Sequence, residues 1–382
     1  MCMSSCAVVH VERDFRAGKA HPNSTTACCE GKVPRSVCSE SCPVGKRKVP
    51  RRGEPTCCFD CIMCPEGEIS NKTDSNDCTK CPPAEWSSEQ RENCMPKIVE
   101  FISYEDPMGT GLATSSVLLS AITLSVFCVF IVYRHTPVVK ANNLVISYGL
   151  LVALILCFLS SLLFIGQPRK VTCMLRQIAF GISFSLCISC ILAKTTTVVI
   201  AFSATKPNSK LSVFVGSRLP HYIIILSVIV QLILCISWLT TSPPFPVLNM
   251  NVAINIISVE CNEGSAFTFY CMLGYLGLLA AVSFIAAFLA RKLPDSFNEA
   301  KFITFSMVVF LSVWLSFVPA YVSTKGKYMV AVEIFAIMSS SGGLLCCIFF
   351  PKCYVILLHP EWNTKEYLIR MGNSNKRLNR NS

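Results

Sequence analysis

Charge is scarce in this chain. Only 15% of its 382 residues are Asp, Glu, Lys or Arg, while 52% are hydrophobic. Soluble domains carry about 25% charged residues, and a soluble fold cannot hide this much apolar surface behind so few. A bilayer acting as solvent removes the difficulty. The apolar segments also lack a His-rich cluster, paired carboxylates and a nucleophile constellation, which argues against an enzyme. Interrupted helix pairs in matching halves and a charged pore series are missing too, and those would mark a transporter or channel. The net charge is +11, yet no basic stripe is interleaved with aromatics, so nucleic acid is not the expected partner. A secretory signal is not visible: the first 20 residues offer only the run Cys6–Val11 before Glu12 and Arg13. Internal repeats and long low-complexity tracts are absent.

What is present falls into two parts. Residues 1 to 104 are polar, Cys-rich and punctuated by Pro and Gly. Seven apolar stretches follow, near 111–133, 144–165, 178–202, 222–240, 266–290, 302–321 and 328–350. Each is long enough to cross ~30 Å of hydrocarbon at ~1.5 Å per residue. Lys194 and Glu333 are the only formal charges inside them. The expected fold is therefore an all-α membrane protein, a seven-transmembrane helix bundle behind a small disulfide-rich extracellular module.

Seven is odd, so the termini lie on opposite sides. One side carries Arg134, Lys140, Lys206, Lys210, Arg218, Arg291, Lys292, Lys301, Lys352 and five further Lys or Arg in the tail. The other has Arg169, Lys170, Lys325 and Lys327. The positive-inside rule makes the tail cytoplasmic and the Cys-rich module extracellular.

Of the 24 cysteines, 13 fall in the first 94 residues. The pairs Cys61-x2-Cys64 and Cys78-x2-Cys81 have zinc-ribbon spacing, and four thiolates would suit tetrahedral Zn²⁺. The topology instead places them in an oxidising compartment where thiols pair. Asn71-Lys72-Thr73 between the pairs, and Asn23-Ser24-Thr25, read as glycosylation acceptors. Disulfides are thus expected, with zinc the alternative. Nine cysteines from Cys38 onward leave one over. A module this small needs staples to fold, so its role is that of a stiff connector.

Several runs resemble the class C G protein-coupled receptors. Ser36-Val-Cys-Ser-Glu-Ser-Cys42, Cys57-Cys58-Phe-Asp-Cys61 and Cys64-Pro-Glu-Gly-Glu resemble their nine-cysteine domain. Thr136–Asn143 resembles their first cytoplasmic loop, Leu293–Lys301 their third, and Pro351-Lys-Cys-Tyr354 the end of their seventh helix. Within the class the chain looks most like vomeronasal type-2 receptors. The calcium-sensing receptor follows through Ala179-Phe-Gly-Ile-Ser-Phe and Ala331-Val-Glu-Ile. The resemblance implies the pairs Cys38–Cys58, Cys42–Cys61, Cys64–Cys78 and Cys81–Cys94, with Cys57 unpaired. In full-length relatives the counterpart of Cys57 bonds a bilobed flytrap domain that binds the agonist. Residues 1–32 do not look like the end of such a domain, and the expectation is a truncated product or an incomplete gene. The expected domains are an atypical segment 1–32, the nine-cysteine domain 33–104, the bundle 105–355 and a cytoplasmic tail 356–382.

Inside the membrane part, Cys173 and Cys261 both fall on the outer side, and a disulfide between them is expected, as in class C relatives. Lys194 lies 21 residues after Cys173, ~32 Å along a helix and so near the inner face. Glu299 stands at the same depth before the sixth stretch. A snorkelling lysine and a solvated glutamate would explain both. The resemblance favours an ionic latch on the inactive state. Glu333 is an intramembrane carboxylate near the outer end of helix seven, and such charges are usually functional. With Trp314 it is placed to line a small-molecule pocket.

The implied function is a chemosensory receptor at the plasma membrane, dimeric with a copy of itself or another class C receptor. It would need no cofactor, answer an amino acid or peptide, and pass the signal to a heterotrimeric G protein. The basic loop residues Lys206, Lys210, Arg218, Arg291, Lys292, Lys301 and Lys352 would face that G protein. A non-signalling dimer partner or decoy is the rival that sequence does not separate.

Overall fold

The computed structural model describes residues 38–141, 143–203, 218–291 and 299–362. Residues 38–100 carry three antiparallel two-stranded ladders: β1 (Lys46–Pro50) with β2 (Phe59–Met63), β3 (Glu68–Ile69) with β4 (Thr79–Lys80), and β5 (Glu85–Ser87) with β6 (Cys94–Pro96). Strands this short bury almost nothing. The buried side chains of the region are Cys42, Cys64, Ser70 and Ser87, and disulfides replace a hydrophobic core.

β7 (Ile98–Glu100) leaves the module and pairs in parallel with β9 (Ile256–Asn262), which pairs antiparallel with β8 (Phe245–Ala253). The loop between the fourth and fifth apolar stretches is thus a hairpin that adopts the end of the module as a third strand. The register sets Glu100 opposite Ser258.

The helices follow: α1 (Pro107–Val132), the short α2 (Pro137–Ala141), α3 (Leu144–Ser161), α4 (Lys170–Ser203), α5 (Leu219–Thr241), α6 (Ala266–Ala290), α7 (Glu299–Ser323) and α8 (Lys327–Leu358). Seven of them, all but α2, are long and apolar enough to cross a membrane. Apolar residues surround each helix rather than forming one stripe, as expected where lipid covers the outside. α4 is the most buried of the seven and holds Phe184, Cys187, Ile188 and Ile191 in the central core. Helix α8 continues through Pro351 to Leu358, three residues past the expected end of the bundle at 355.

Candidate functional site

The end of the bundle nearest the module is joined to it by several independent contacts. Lys327 Nζ, on the first residue of α8, lies 2.9 Å from Glu100 Oε1 and 3.2 Å from Asp106 Oδ2. Gly166 N donates to Ile102 O at 2.7 Å, and Tyr104 Oη donates to Leu162 O at 2.9 Å. Gly109 sits so close to the chain before it that an added Cβ would meet Ser103 O at 2.0 Å. Gly326 has φ 65°, where a Cβ is disfavoured, and its Cβ would stand 3.1 Å from Val252. The turn into α8 therefore packs directly on the β8–β9 hairpin. That hairpin is tied to α4 by the Cys173–Cys261 disulfide.

Below the hairpin, Trp314 and Glu333 line one cavity of about 170 Å³ together with Gln177, Phe180, Phe317 and Tyr321. A second cavity of about 230 Å³ continues downward and shares Phe180, Trp314 and Phe317. Trp314 is caged by aromatic rings, with Phe180, Phe184 and Phe317 centroids at 5.6, 5.5 and 5.3 Å. Among the described residues, Trp314 Nε1 and Glu333 Oε2 are buried without a hydrogen-bond partner, as is Nε of the neighbouring Arg176. Unpaired polar atoms are expensive in an apolar setting, so a chamber with greasy walls and two unanswered polar atoms is suited to an amphipathic small molecule.

At the end of the bundle away from the module, Lys194 Nζ lies 3.0 Å from Glu299 Oε1, and Lys352 Nζ lies 2.8 Å from the same oxygen. The three groups come from α4, α7 and α8, and all are buried. A buried carboxylate held by two ammonium groups loses much of its desolvation cost, whereas removing it takes their shared counter-charge from two buried lysines. Sequence reasoning assigned Lys352 to the G protein-facing loops. The structure differs: Lys352 is 2% exposed and points into the bundle, because the helix does not stop at Pro351. The signal was available, since Val355-Ile-Leu-Leu358 resumes the apolar run after the lysine. Of the other loop residues, Arg218, Arg291 and Lys301 are exposed. Lys206, Lys210 and Lys292 lie outside the described residues, as does Asn23, while Asn71 is exposed on a loop of the module.

In the module, Cys42 is bonded to Cys61, Cys64 to Cys78 and Cys81 to Cys94. The first pair differs from the expectation. Cys38 is bonded to Cys57 rather than Cys58, and the thiol of Cys58 is free. The reason is local. The two residues are adjacent in a turn before β2, and the sulfurs of Cys38, Cys57 and Cys58 all lie within 4.8 Å of one another. Sequence spacing cannot choose between neighbours that both reach. Asp74, at φ 60°, braces the same region. Its carboxylate accepts from Cys42 N at 2.8 Å and from Lys48 Nζ at 3.2 Å. The Cys42 amide and then Lys48 hold its acid below the usual 3.8.

Residues 102–352 match the family described as the 7 transmembrane sweet-taste receptor of 3 GCPR, and residues 33–87 match the Nine Cysteines Domain of family 3 GPCR. The chain is 58% identical to vomeronasal type-2 receptor 26 of Mus musculus over 85% of its own length and 38% of that receptor. Identity to the Homo sapiens extracellular calcium-sensing receptor is 50%, over 87% of this chain and 31% of the relative. The mouse vomeronasal type-2 receptor 116 is 46% identical over 90% of this chain and 40% of its own. The chain thus spans less than half the length of the relatives it matches. The bundle and the cysteine module each match, in order, the two consecutive domains of one family: the chain belongs to the class C (family 3) G protein-coupled receptors.

Proposed function

We propose that this chain is the transmitting part of a chemosensory class C receptor. It stands in the plasma membrane with its module outside and its tail in the cytosol, dimerises with a class C partner, and acts on a heterotrimeric G protein rather than as an enzyme. The observation that carries the reading is the inner ion network, in which Glu299 on α7 holds Lys194 of α4 and Lys352 of α8. Such a cluster favours one arrangement of three helices, and its release frees the cytoplasmic end of α7. A bias of about 1.4 kcal/mol shifts a two-state balance tenfold. Ligands arrive by two routes: an amino acid or peptide acting through the extracellular side, and a small amphipathic molecule in the chamber of Trp314 and Glu333.

Basal G protein signalling tests the latch. Lys194→Glu and Glu299→Lys each raise it. The double reversal sets a new ammonium at position 299 against Lys352, so low basal activity returns only when Lys352→Glu is added. If all these variants are silent at normal surface expression, the chain is a non-signalling dimer partner instead. If the triple reversal signals like the singles, the three side chains do not act as a latch. For the topology, an antibody to the Ser382 end stains only permeabilised cells and Asn71 carries a glycan. Staining of intact cells rejects the orientation.

A further inference from the structure

We propose that the β1–β2 hairpin of the module binds a sulfated polysaccharide along the run Lys46-Arg-Lys-Val-Pro-Arg-Arg52. The proposal rests on the orientation given above, with the module outside, and not on signalling. Five of these seven residues are cationic. Residues 38–100 hold nine Lys and Arg against eleven Asp and Glu, so the module is not basic throughout and its positive charge is gathered on one hairpin. The positive-inside rule accounts for Lys and Arg in cytoplasmic loops and gives no reason for this cluster.

The cluster is presented to solvent. No residue of β1 or β2 is fully buried, and residues 50–57 are all exposed. Gly53, at φ 84°, has no atom within 4 Å of where a Cβ would stand. Two of the cations are held by acids. Lys48 Nζ lies 3.2 Å from Asp74 Oδ1, and Arg51 Nη2 lies 2.7 Å from Asp60 Oδ1, with Glu54 at 3.8 Å from Nη1. Among the described residues, the side chains of Lys46, Arg47 and Arg52 have no ion-pair partner. Exposed pairs are worth little, so Lys48 and Arg51 can also be shared with an outside anion.

The arrangement selects the class of ligand. Residues along a strand advance about 3.3 Å each, so the cations form a line rather than a pocket. A line of charge answers a linear polyanion better than a single phosphate. Three of the five are Arg, whose planar fork grips an oxyanion such as sulfate through two oxygens. Single-stranded nucleic acid needs open rings for stacking, and the ring on this hairpin, Phe59, lies under Lys48 Nζ at 4.5 Å. Anionic lipid is concentrated in the cytoplasmic leaflet, across the bilayer from the module. A Lys- and Arg-rich run of this length on an outer surface is a heparin-type patch.

The test uses the full chain in phosphatidylcholine nanodiscs, where both faces are open to solution, with size-fractionated heparin as the probe. Heparin binds, and its affinity falls as salt is raised, because exposed charges are screened. An exposed ion contact contributes about threefold, so Arg47→Gln with Arg52→Gln weakens binding about tenfold. Lys72→Gln with Lys80→Gln removes the same charge elsewhere in the module and changes little. Equal weakening by the two double variants would reduce the effect to net charge and overturn the proposal. So would equal binding of heparin and desulfated heparin. Tighter binding of phosphatidylserine vesicles or of polyglutamate than of heparin would overturn it in favour of lipid or an acidic protein. Should the arginine variant fail to reach the surface, the unmutated chain decides. Heparin then shields Lys46 from an amine-reactive label and leaves Lys80 open, and no difference between the two overturns the site. Failure of the orientation is read separately: staining of the Ser382 end on intact cells would place the hairpin out of reach of any extracellular polysaccharide and overturn the proposal, while heparin binding in nanodiscs persisted.

Discussion

Between residues 38 and 100 the buried side chains are two half-cystines and two serines, whereas the bundle buries Trp238, Phe158, Phe184, Leu150 and their neighbours. The first region is held by covalent staples and turn hydrogen bonds. The second is held by close packing and then made conditional by ions placed inside it. Staples leave a connector few alternative shapes, while a packed bundle with a charge cluster at one end has a contact whose loss favours another arrangement. In the proposed mechanism a stiff lever acts on a bistable body, and the joint between the two regions carries Lys327, Glu100 and Asp106.

The sharpest way to break this contrast is Glu299→Gln. It leaves two buried ammonium groups without their carboxylate, and loss of one member of a buried network costs about 3–5 kcal/mol. Thermal unfolding of the purified chain in micelles should drop far more than in Lys194→Gln, where Glu299 keeps Lys352. Equal melting of the two variants would mean the bundle is held by packing alone.

Next in size is the module. Replacing Cys64 and Cys78 by Ser opens a bridge with a sequence separation of 14, worth about 3 kcal/mol by loop closure. Hydrogen exchange should accelerate throughout 38–100 and leave the centres of α3 and α4 protected. Acceleration in the helices as well would show that the two regions melt as one.

These two regions were unequally legible in the sequence. Hydropathy alone located the seven spans, because a membrane helix must satisfy every backbone group internally and so declares itself by length. The ends were less visible. Lys170 and Arg176 lie on α4 although the apolar stretch begins only near 178, and α8 outruns its stretch past Pro351. Depth counting put Lys194 and Glu299 at one level, and the structure brings them together. It could not include Lys352, since a lysine after a proline at a hydropathy edge reads as a loop. The strands β8 and β9 stayed hidden because Asn249-Met-Asn-Val-Ala-Ile-Asn255 has the polarity of a linker. Their pairing with β7 joins residues more than 150 apart in sequence, which no local pattern announces. Adjacency defeated the assignment of Cys57 and Cys58.

A smaller effect sharpens the view of the joint. Gly109→Ala drives a methyl group into the carbonyl of Ser103, and overpacking of this kind costs about 1–3 kcal/mol. Since the displaced atoms link module to α1, binding of a conformation-sensitive antibody to the module should weaken while α3 and α4 keep their exchange protection. Gly111→Ala, where the added atom meets open space, is the control and should change neither.

The smallest effect is acid sensitivity of the module. Asp74 has a folded-state pKa below its ordinary 3.8. Its stabilising contribution is therefore present above that value and lost as pH falls through the lower folded one. Exchange of the Cys42 amide should quicken below about pH 4, and Asp74→Asn should remove that dependence. An unchanged acid profile in Asp74→Asn would assign the acid sensitivity to another carboxylate.

One carboxylate shared by two lysines has a logical character that a simple pair lacks. When α4 alone withdraws, Glu299 remains neutralised by Lys352, and when α8 alone withdraws, by Lys194. The charge on α7 is stranded only when both neighbours have gone. Helix α4 is tied to the β8–β9 hairpin by Cys173–Cys261, and α8 is tied to the end of the module by Lys327. If the cluster acts as the proposed latch, the end of the bundle that holds it answers to the coincidence of two movements at the module-facing end, and thermal wandering of either helix by itself is filtered out.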